Sequence, residues 1–245
     1  MLTLTRRYRR NYAGEEIISE RSFEGGQWNT TSEYVPNNIV NNQISNRAVV
    51  FGNGNSRKTL DPRYITTRRS GLLGADTLQT YACNAFYRDH LCDFLIVTHA
   101  DMAREVHDSG FADNNIVYTR AHINLMFPKK FYLIPHDPYA DAGTTALYLA
   151  CFDGHKRVYM LGFDGHDSPG INNNIYASTA CYDYIQSDMD DKKLIENQLT
   201  VFNTYPDVDF VWVTPVGSSE LPEAWKYCLN VRQIPYARMI AEADL

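Results

Sequence analysis

The chain has 245 residues, is 44% hydrophobic and carries 23 Lys and Arg against 29 Asp and Glu, for a net charge of −6. This length allows one large α/β domain or one domain with an appendage. The acidic balance excludes nucleic acid as the main partner, because phosphate backbones select for an excess of Lys and Arg.

No apolar run reaches the ~20 residues that a membrane-spanning helix needs. The basic start, Met1 to Tyr12, has no apolar segment behind it and does not read as a secretory signal. The five cysteines, Cys83, Cys92, Cys151, Cys181 and Cys228, are odd in number and form no C-x-x-C pair. They read as small buried hydrophobes in a reducing compartment, so a cytoplasmic location is expected.

Residues 1–46 are polar, with Asn37-Asn38 and Asn41-Asn42 as turn signals. They are expected to form an N-terminal extension that lies on the domain surface or makes an oligomer contact. Partial disorder also fits this composition. From residue 47 to 245 a single α/β nucleotide-binding domain is expected, with a lid-like loop region at about 165–192.

Ala48 to Phe51 is a short apolar run that reads as a buried strand. It enters the turn Gly52-Asn53-Gly54-Asn55-Ser56. A short helix begins after Ser56 and ends at Leu60-Asp61-Pro62, since proline disfavours helix in the residue before it. Further strands are expected at Leu78 to Cys83, Asp93 to Val97, Asn115 to Tyr118, Lys130 to Ile134, Val158 to Leu161 and Asp209 to Val213. The last of these is read as the final buried strand. Helices are expected from Asp101 as cap, from Thr144 to Phe152 with Gly154 behind it, and from Leu194 to Phe202. Alternating strands and helices of this kind predict a Rossmann-like, doubly wound, mostly parallel sheet.

In a parallel sheet all carboxyl strand ends point to one edge, where open α/β folds bind nucleotides. Four ends carry polar or glycine turns: Gly52 to Ser56, Cys83-Asn84, Thr98-His99 and Gly162-Phe163-Asp164. Free backbone N–H groups after Gly52, and a helix start after Ser56, would favour a phosphate. Asn53 and Asn84 can both donate and accept, and Asp164 can accept from a ribose hydroxyl or cap a turn. The turn is neither the dinucleotide fingerprint, because Arg57 stands where its third glycine belongs, nor a P-loop. His166, beside Asp164 and Asp167, has no second ligand cluster in register, so no resident metal is expected. The basic residues Arg57, Lys58, Arg63, Arg68 and Arg69 follow the turn, either as a solvated face or in support of an anion site.

The order of these motifs resembles the bacterial sialyltransferases that build host-mimicking lipo-oligosaccharides and, more distantly, the hydroxymethylpterin diphosphokinase-like group. The family's Gly-Asn-Gly-Pro-Ser turn is matched by Gly52-Asn53-Gly54-Asn55-Ser56. Its Cys-Asn strand end, aromatic pair and acidic residue are matched by Cys83-Asn84-Ala85-Phe86-Tyr87-Arg88-Asp89. Its glycine turn, small-residue helix and Gly-Ile-Asp strand end are matched by Ala142-Gly143, Thr144 to Phe152, and Gly162-Phe163-Asp164. Together these blocks cover roughly residues 47 to 166.

The resemblance implies a donor linked to cytidine monophosphate (CMP), a hydroxyl on a small molecule or glycan as acceptor, no required cofactor, and a homo-oligomer. It places Asn53 and Asn84 at the nucleotide phosphate and sugar, with Gly143, Gly162 and Asp164 along the pocket; Gly52, Gly54, Ser56 and Thr98, from the same strand ends, are carried with them as binding candidates. Of the two family tyrosines that hold the leaving phosphate, the first falls at His166 and the second at Tyr176. Both are carried as catalytic candidates. The family's general-base histidine has no counterpart, because residues 167–245 contain no histidine. That role falls to His166, to His99 or to another group. The diphosphokinase-like alternative needs ATP with Mg2+, held by Asp137, Asp141, Asp164 and Asp167. A nucleotide-binding or oligomer-forming protein that has lost catalysis is the third reading.

Overall fold

A computed structural model describes residues 2–9, 15–33, 45–66, 78–164, 173–183, 191–218 and 220–243. Within the first of these, strands β1 (Leu2–Arg9), β2 (Glu15–Glu24) and β3 (Gln27–Glu33) pair as an antiparallel sheet of their own. The sequence predicts no element there, because polar strands carry no apolar period to read.

The rest is built on one sheet of eight parallel strands. They are β4 (Arg47–Phe51), β5 (Leu78–Cys83), β6 (Phe94–Val97), β7 (Ile116–Thr119), β8 (Tyr132–Leu133), β9 (Arg157–Leu161), β10 (Asp209–Thr214) and β11 (Val231–Pro235). Their spatial order is β11-β10-β9-β4-β5-β6-β7-β8. From β4 the chain steps outward to β8, then returns to lay β9 against the other side of β4, pairing Phe51 with Leu161. The sheet therefore reverses its winding between β4 and β9. At such a switch point the connecting segments leave in opposite directions and open a crevice beyond the strand ends.

Successive side chains of each strand enter different cores. Ala48, Val50, Val158, Met160, Phe210 and Trp212 face one side. Val49, Phe51, Tyr159, Leu161, Val211 and Val213 face the other. Helices α5 (Ala142–Phe152) and α6 (Asp191–Thr204) cover the first face. Helices α1 (Arg63–Thr66), α2 (Ala100–Asp108), α4 (Ala121–Met126) and α7 (Tyr236–Glu242) cover the second, and α3 (Phe111–Asn114) follows α2. Burial on both faces is why the strands read as continuous apolar runs. Helix α5 lies against β4, β5 and β6 on one side and α6 on the other, so nearly all its residues are buried. Gly154 follows it with a positive φ of 97°.

Three expectations are corrected here. Helix α2 is capped by the extended His99, not by Asp101, which lies in the first turn and pairs with Arg104 at 3.5 Å. Its negative charge still suits the helix start. The sheet does not end at β10. Strand β11 continues it, and was missed because an edge strand needs few apolar residues; only Val231 and Ile234 are buried. Helices α4 and α7 were also missed, since both are too short to display a helical period.

At the opposite, amino edge of the sheet, the His155 ring is fully buried. Its Nδ1–H donates to the Ser45 carbonyl at 2.7 Å, while Nε2 lies 3.0 Å from the Tyr81 hydroxyl, which donates to Asp153. Burial lowers the His155 pKa from 6.5 to about 4. The folded state thus favours the neutral ring. Its contribution is present above pH 6.5 and is lost as pH falls from 6.5 through about 4. Stability is expected to drop by roughly 2 kcal/mol between pH 8 and pH 5 from this group. Urea denaturation at the two pH values checks it, with His155→Asn expected to flatten the difference.

Candidate functional site

The carboxyl ends of β4, β5, β6 and β9 and the start of α5 surround a crevice of about 390 Å³. All four polar strand ends seen in the sequence reach it. Gly52, Asn53 and Gly54 come from β4, Asn84 from β5, His99 from β6, and Gly162 and Asp164 from β9. Gly143 lines it from α5.

The two turns at the switch point interlock. The Gly52 N–H donates to the Leu161 carbonyl at 2.7 Å, and the Gly54 N–H to the Gly162 carbonyl at 3.0 Å. A Cβ on Gly52 would stand 2.3 Å from the Gly162 oxygen, and Gly162 itself holds a left-handed φ of +70°. The glycines are therefore required by the approach of one turn to the other. The expectation of free N–H groups for a phosphate is corrected accordingly. Beyond Gly52 and Gly54, the Asn55 N–H donates to Asn173 Oδ1 at 3.1 Å and the Arg57 N–H to the Gly54 carbonyl. The Ser56 N–H donates to Asp164 Oδ2 at 2.6 Å, and the Ser56 hydroxyl makes a very short bond to Oδ1 of the same carboxylate. Ser56 thus fastens Asp164 and does not itself line the crevice.

What the crevice offers instead is acceptors. Asn53 is 8% exposed; its amide donates to the Cys83 carbonyl at 3.2 Å and to the Tyr182 hydroxyl at 3.4 Å, leaving Oδ1 buried without a partner. Asn84 holds a left-handed φ of 49°, which asparagine tolerates at a cost of about 1 kcal/mol. Its Oδ1 is likewise buried and unpartnered. Asp141 caps α5, with Oδ1 accepting from the Thr144 N–H at 2.9 Å, while its Oδ2 has no partner. Burial raises the Asp141 pKa above the ordinary value of 3.8. Buried acceptors are seldom left unpaired, so three in one crevice call for a ligand that brings donors.

Several sequence-based candidates lie elsewhere. Thr98 is buried behind the wall, 3.2 Å from His99 Nδ1, and it is His99 that reaches the crevice. Tyr176 is outside the crevice; its hydroxyl lies 3.5 Å from Arg57 in a separate cavity. His166 falls outside the described residues. Asp137 pairs with Arg120 at 3.1 Å and Asp164 is held by Ser56, while Asp167 is again outside the described residues. Among the described residues no group of three or more His, Cys, Asp or Glu is placed to hold a metal ion. Of the Mg2+ set expected for a diphosphokinase-like site, only Asp141 and Asp164 line the crevice among the described residues.

Tyr182 and Gln198 were not foreseen. Tyr182 lines the crevice with Asn53 and Asn84, accepts from the Asn53 amide at 3.4 Å through its hydroxyl, and has its pKa raised by burial. Gln198 is buried on α6 between Leu194 and Phe202. A glutamine on an otherwise apolar helix face marks a buried polar group, but not which site it joins. The segment carrying Tyr182 is clamped by Arg88, which donates to Thr179 Oγ1 and the Ala180 carbonyl at 2.8 Å and pairs with Glu105 at 2.6 Å. Cys83 also borders the crevice, but burial pushes its thiol up to about 12, so it is no nucleophile at neutral pH.

No family model and no curated protein matches the chain. Solved structures do. The monofunctional α-2,3-sialyltransferase Cst-I from Campylobacter jejuni superposes with a TM-score of 0.54 at 14% identity, over 80% of this chain and 85% of that one. An α-2,3-sialyltransferase from the same organism in apo form gives 0.44 at 14% identity, over 73% of this chain and 79% of the other. CstII from the same organism, in complex with cytidine-5′-monophosphate, gives 0.43 at 15% identity, over 68% and 79%. The likeness to Cst-I shows a shared Rossmann-like α/β fold.

Proposed function

We propose that the chain is a glycosyltransferase that moves a sugar from a CMP-linked donor to a hydroxyl acceptor. The observation that carries this reading is the set of unpartnered oxygens on Asn53, Asn84 and Asp141, gathered in one crevice at the switch point. A nucleotide sugar brings the ribose hydroxyls, sugar hydroxyls and base amine that such acceptors take. The motif blocks that resemble the sialyltransferases supply three walls of this crevice, and the fold shared with Cst-I supports the same assignment.

In this proposal Asn53 and Asn84 hold the donor, and Gly52, Gly54, Gly143, Gly162 and Asp164 shape the pocket. Tyr182, in place of Tyr176, presents a hydroxyl to the leaving phosphate, with His166 as a further phosphate contact. Asp141 is the general base. Asp141 lines the crevice, its Oδ2 is buried without a partner, and a raised pKa makes it a stronger base than an exposed aspartate. The segment at 165–192 is the lid, and its described stretch 173–183 already borders the crevice through Asn173, Asn174, Cys181 and Tyr182.

Calorimetry with CMP tests the site. Asn53→Ala and Asn84→Ala are each expected to weaken CMP binding about tenfold, near 1.4 kcal/mol, while ATP with Mg2+ binds the parent weakly. Undiminished binding by both variants would remove the assignment.

A further inference from the structure

On the far side of the glycine turn lies a second cavity, of about 440 Å³, walled by Arg57, Lys58, Asp61, Asp89, His90 and Tyr176 among others. Arg57 is 2% exposed. Among the described residues no carboxylate pairs with it. Its guanidinium lies 4.8 Å over the Phe86 ring and 3.5 Å from the Tyr176 hydroxyl, and its Nε is buried without a partner. A buried cation without a counter-charge is unfavourable by several kcal/mol unless something compensates it. Face-on contact with a ring recovers only a part. His90, whose ring lies tilted against the same Phe86 at 5.2 Å between centroids, also leaves Nδ1 buried and unpartnered. Lys58 is exposed at the mouth. Of the two acids, Asp61 is held by Arg63 at 2.7 Å and Asp89 lies beside His90 and Tyr176, so Arg57 and Lys58 against Asp89 leave the cavity one net positive charge.

We propose that this cavity is a second, phosphate-binding site, distinct from the crevice, in which Arg57, Lys58 and the His90 N–H hold a phosphate or phosphate monoester. Donors on three side chains suit a tetrahedral dianion. The site also has a consequence for the crevice. Segment 173–183 stands between the two, with Ile175 and Tyr176 walling the phosphate cavity and Asn173, Asn174 and Tyr182 lining the crevice. The Ile175 N–H donates to the Asn53 carbonyl at 2.8 Å. Phosphate beneath Tyr176 therefore braces this segment in place.

The test is titration of the full chain with inorganic phosphate, glycerol phosphate and acetate, read by thermal shift and calorimetry. Phosphate is expected to bind saturably and raise Tm. Glycerol phosphate binding as well assigns the site to monoesters, and its failure to bind assigns it to free phosphate. Arg57→Met is expected to be no less stable than the parent without phosphate, since it removes an uncompensated cation, and to lose the phosphate response at least tenfold. Lys58→Ala, at the exposed mouth, is expected to weaken the response several-fold with Tm unchanged. Asn53→Ala is expected to keep it. Hydrogen exchange across 173–183 is expected to slow when phosphate binds. The proposal is overturned if the parent shows no saturable response, if acetate matches phosphate, if Arg57→Met retains the response, or if Asn53→Ala abolishes it. Unchanged exchange in 173–183 would remove the bracing role.

Discussion

Exchanging Asp141 for asparagine is expected to lower kcat for sugar transfer by about 10²- to 10⁴-fold while leaving the fold intact. The substitution is informative because Asp141 does two things with two oxygens. Oδ1 caps α5 through the Thr144 N–H, and Oδ2 is buried without a partner on a residue that lines the crevice. Asparagine caps a helix about as well as aspartate, so stability should change by less than about 0.5 kcal/mol. It has no proton-accepting carboxylate, so the base is lost. In the parent the rate should rise with pH through the raised pKa of Asp141, because only the carboxylate accepts the proton. The acid limb of the profile therefore lies above that of an ordinary aspartate, and it should vanish from the residual rate of the variant. His99→Gln is the companion measurement, since His99 shares the crevice. If it removes the rate and Asp141→Asn does not, the base is His99.

Gly162→Ala is expected to destabilise the protein by roughly 2–5 kcal/mol and to abolish CMP binding. Two separate terms add. A side chain at φ +70° costs about 1–2 kcal/mol. The new Cβ would also stand 2.8 Å from the Gly52 carbonyl oxygen, an overpacking against backbone that cannot rotate away, at about 1–3 kcal/mol more. Gly52→Ala forces the same two turns apart from the other side, so the double variant should fall short of the sum of the singles. Denaturant unfolding of the three variants measures this. A Gly162→Ala protein with parental stability would mean that the two turns are not locked together.

The sheet was legible where burial on both faces made the strands continuously apolar. Ala48 to Phe51, Leu78 to Cys83 and Val158 to Leu161 stand where the sequence put them, within a residue. Strand β11 and helix α7 were not legible. An edge strand and a seven-residue helix are fixed by the neighbours they dock on, here β10, more than by any pattern of their own. The site was partly legible for a similar reason. Strand ends in a parallel sheet share one edge, so Asn53, Asn84, His99 and Asp164 could be assigned to one place before any coordinates. Tyr182, Gln198 and the free oxygen of Asp141 could not. They reach the crevice from a loop, a helix face and a cap, and their position depends on how those pieces pack.

By itself, then, the sequence determined an α/β chain with a parallel sheet and a polar rim at the carboxyl strand ends, because local periodicity and turn chemistry act over a few residues. The tertiary structure alone decided that β9 returns beside β4 and sets the switch point between them. It decided that the glycines serve the contact between two turns, with the N–H groups of Gly52, Gly54, Asn55, Ser56 and Arg57 already engaged, and that Tyr176 and Arg57 belong to a second cavity. These facts rest on contacts between residues more than 100 positions apart, such as Gly54 with Gly162 and Arg57 with Tyr176. No local pattern encodes such contacts; only the packing of the whole sheet brings them together.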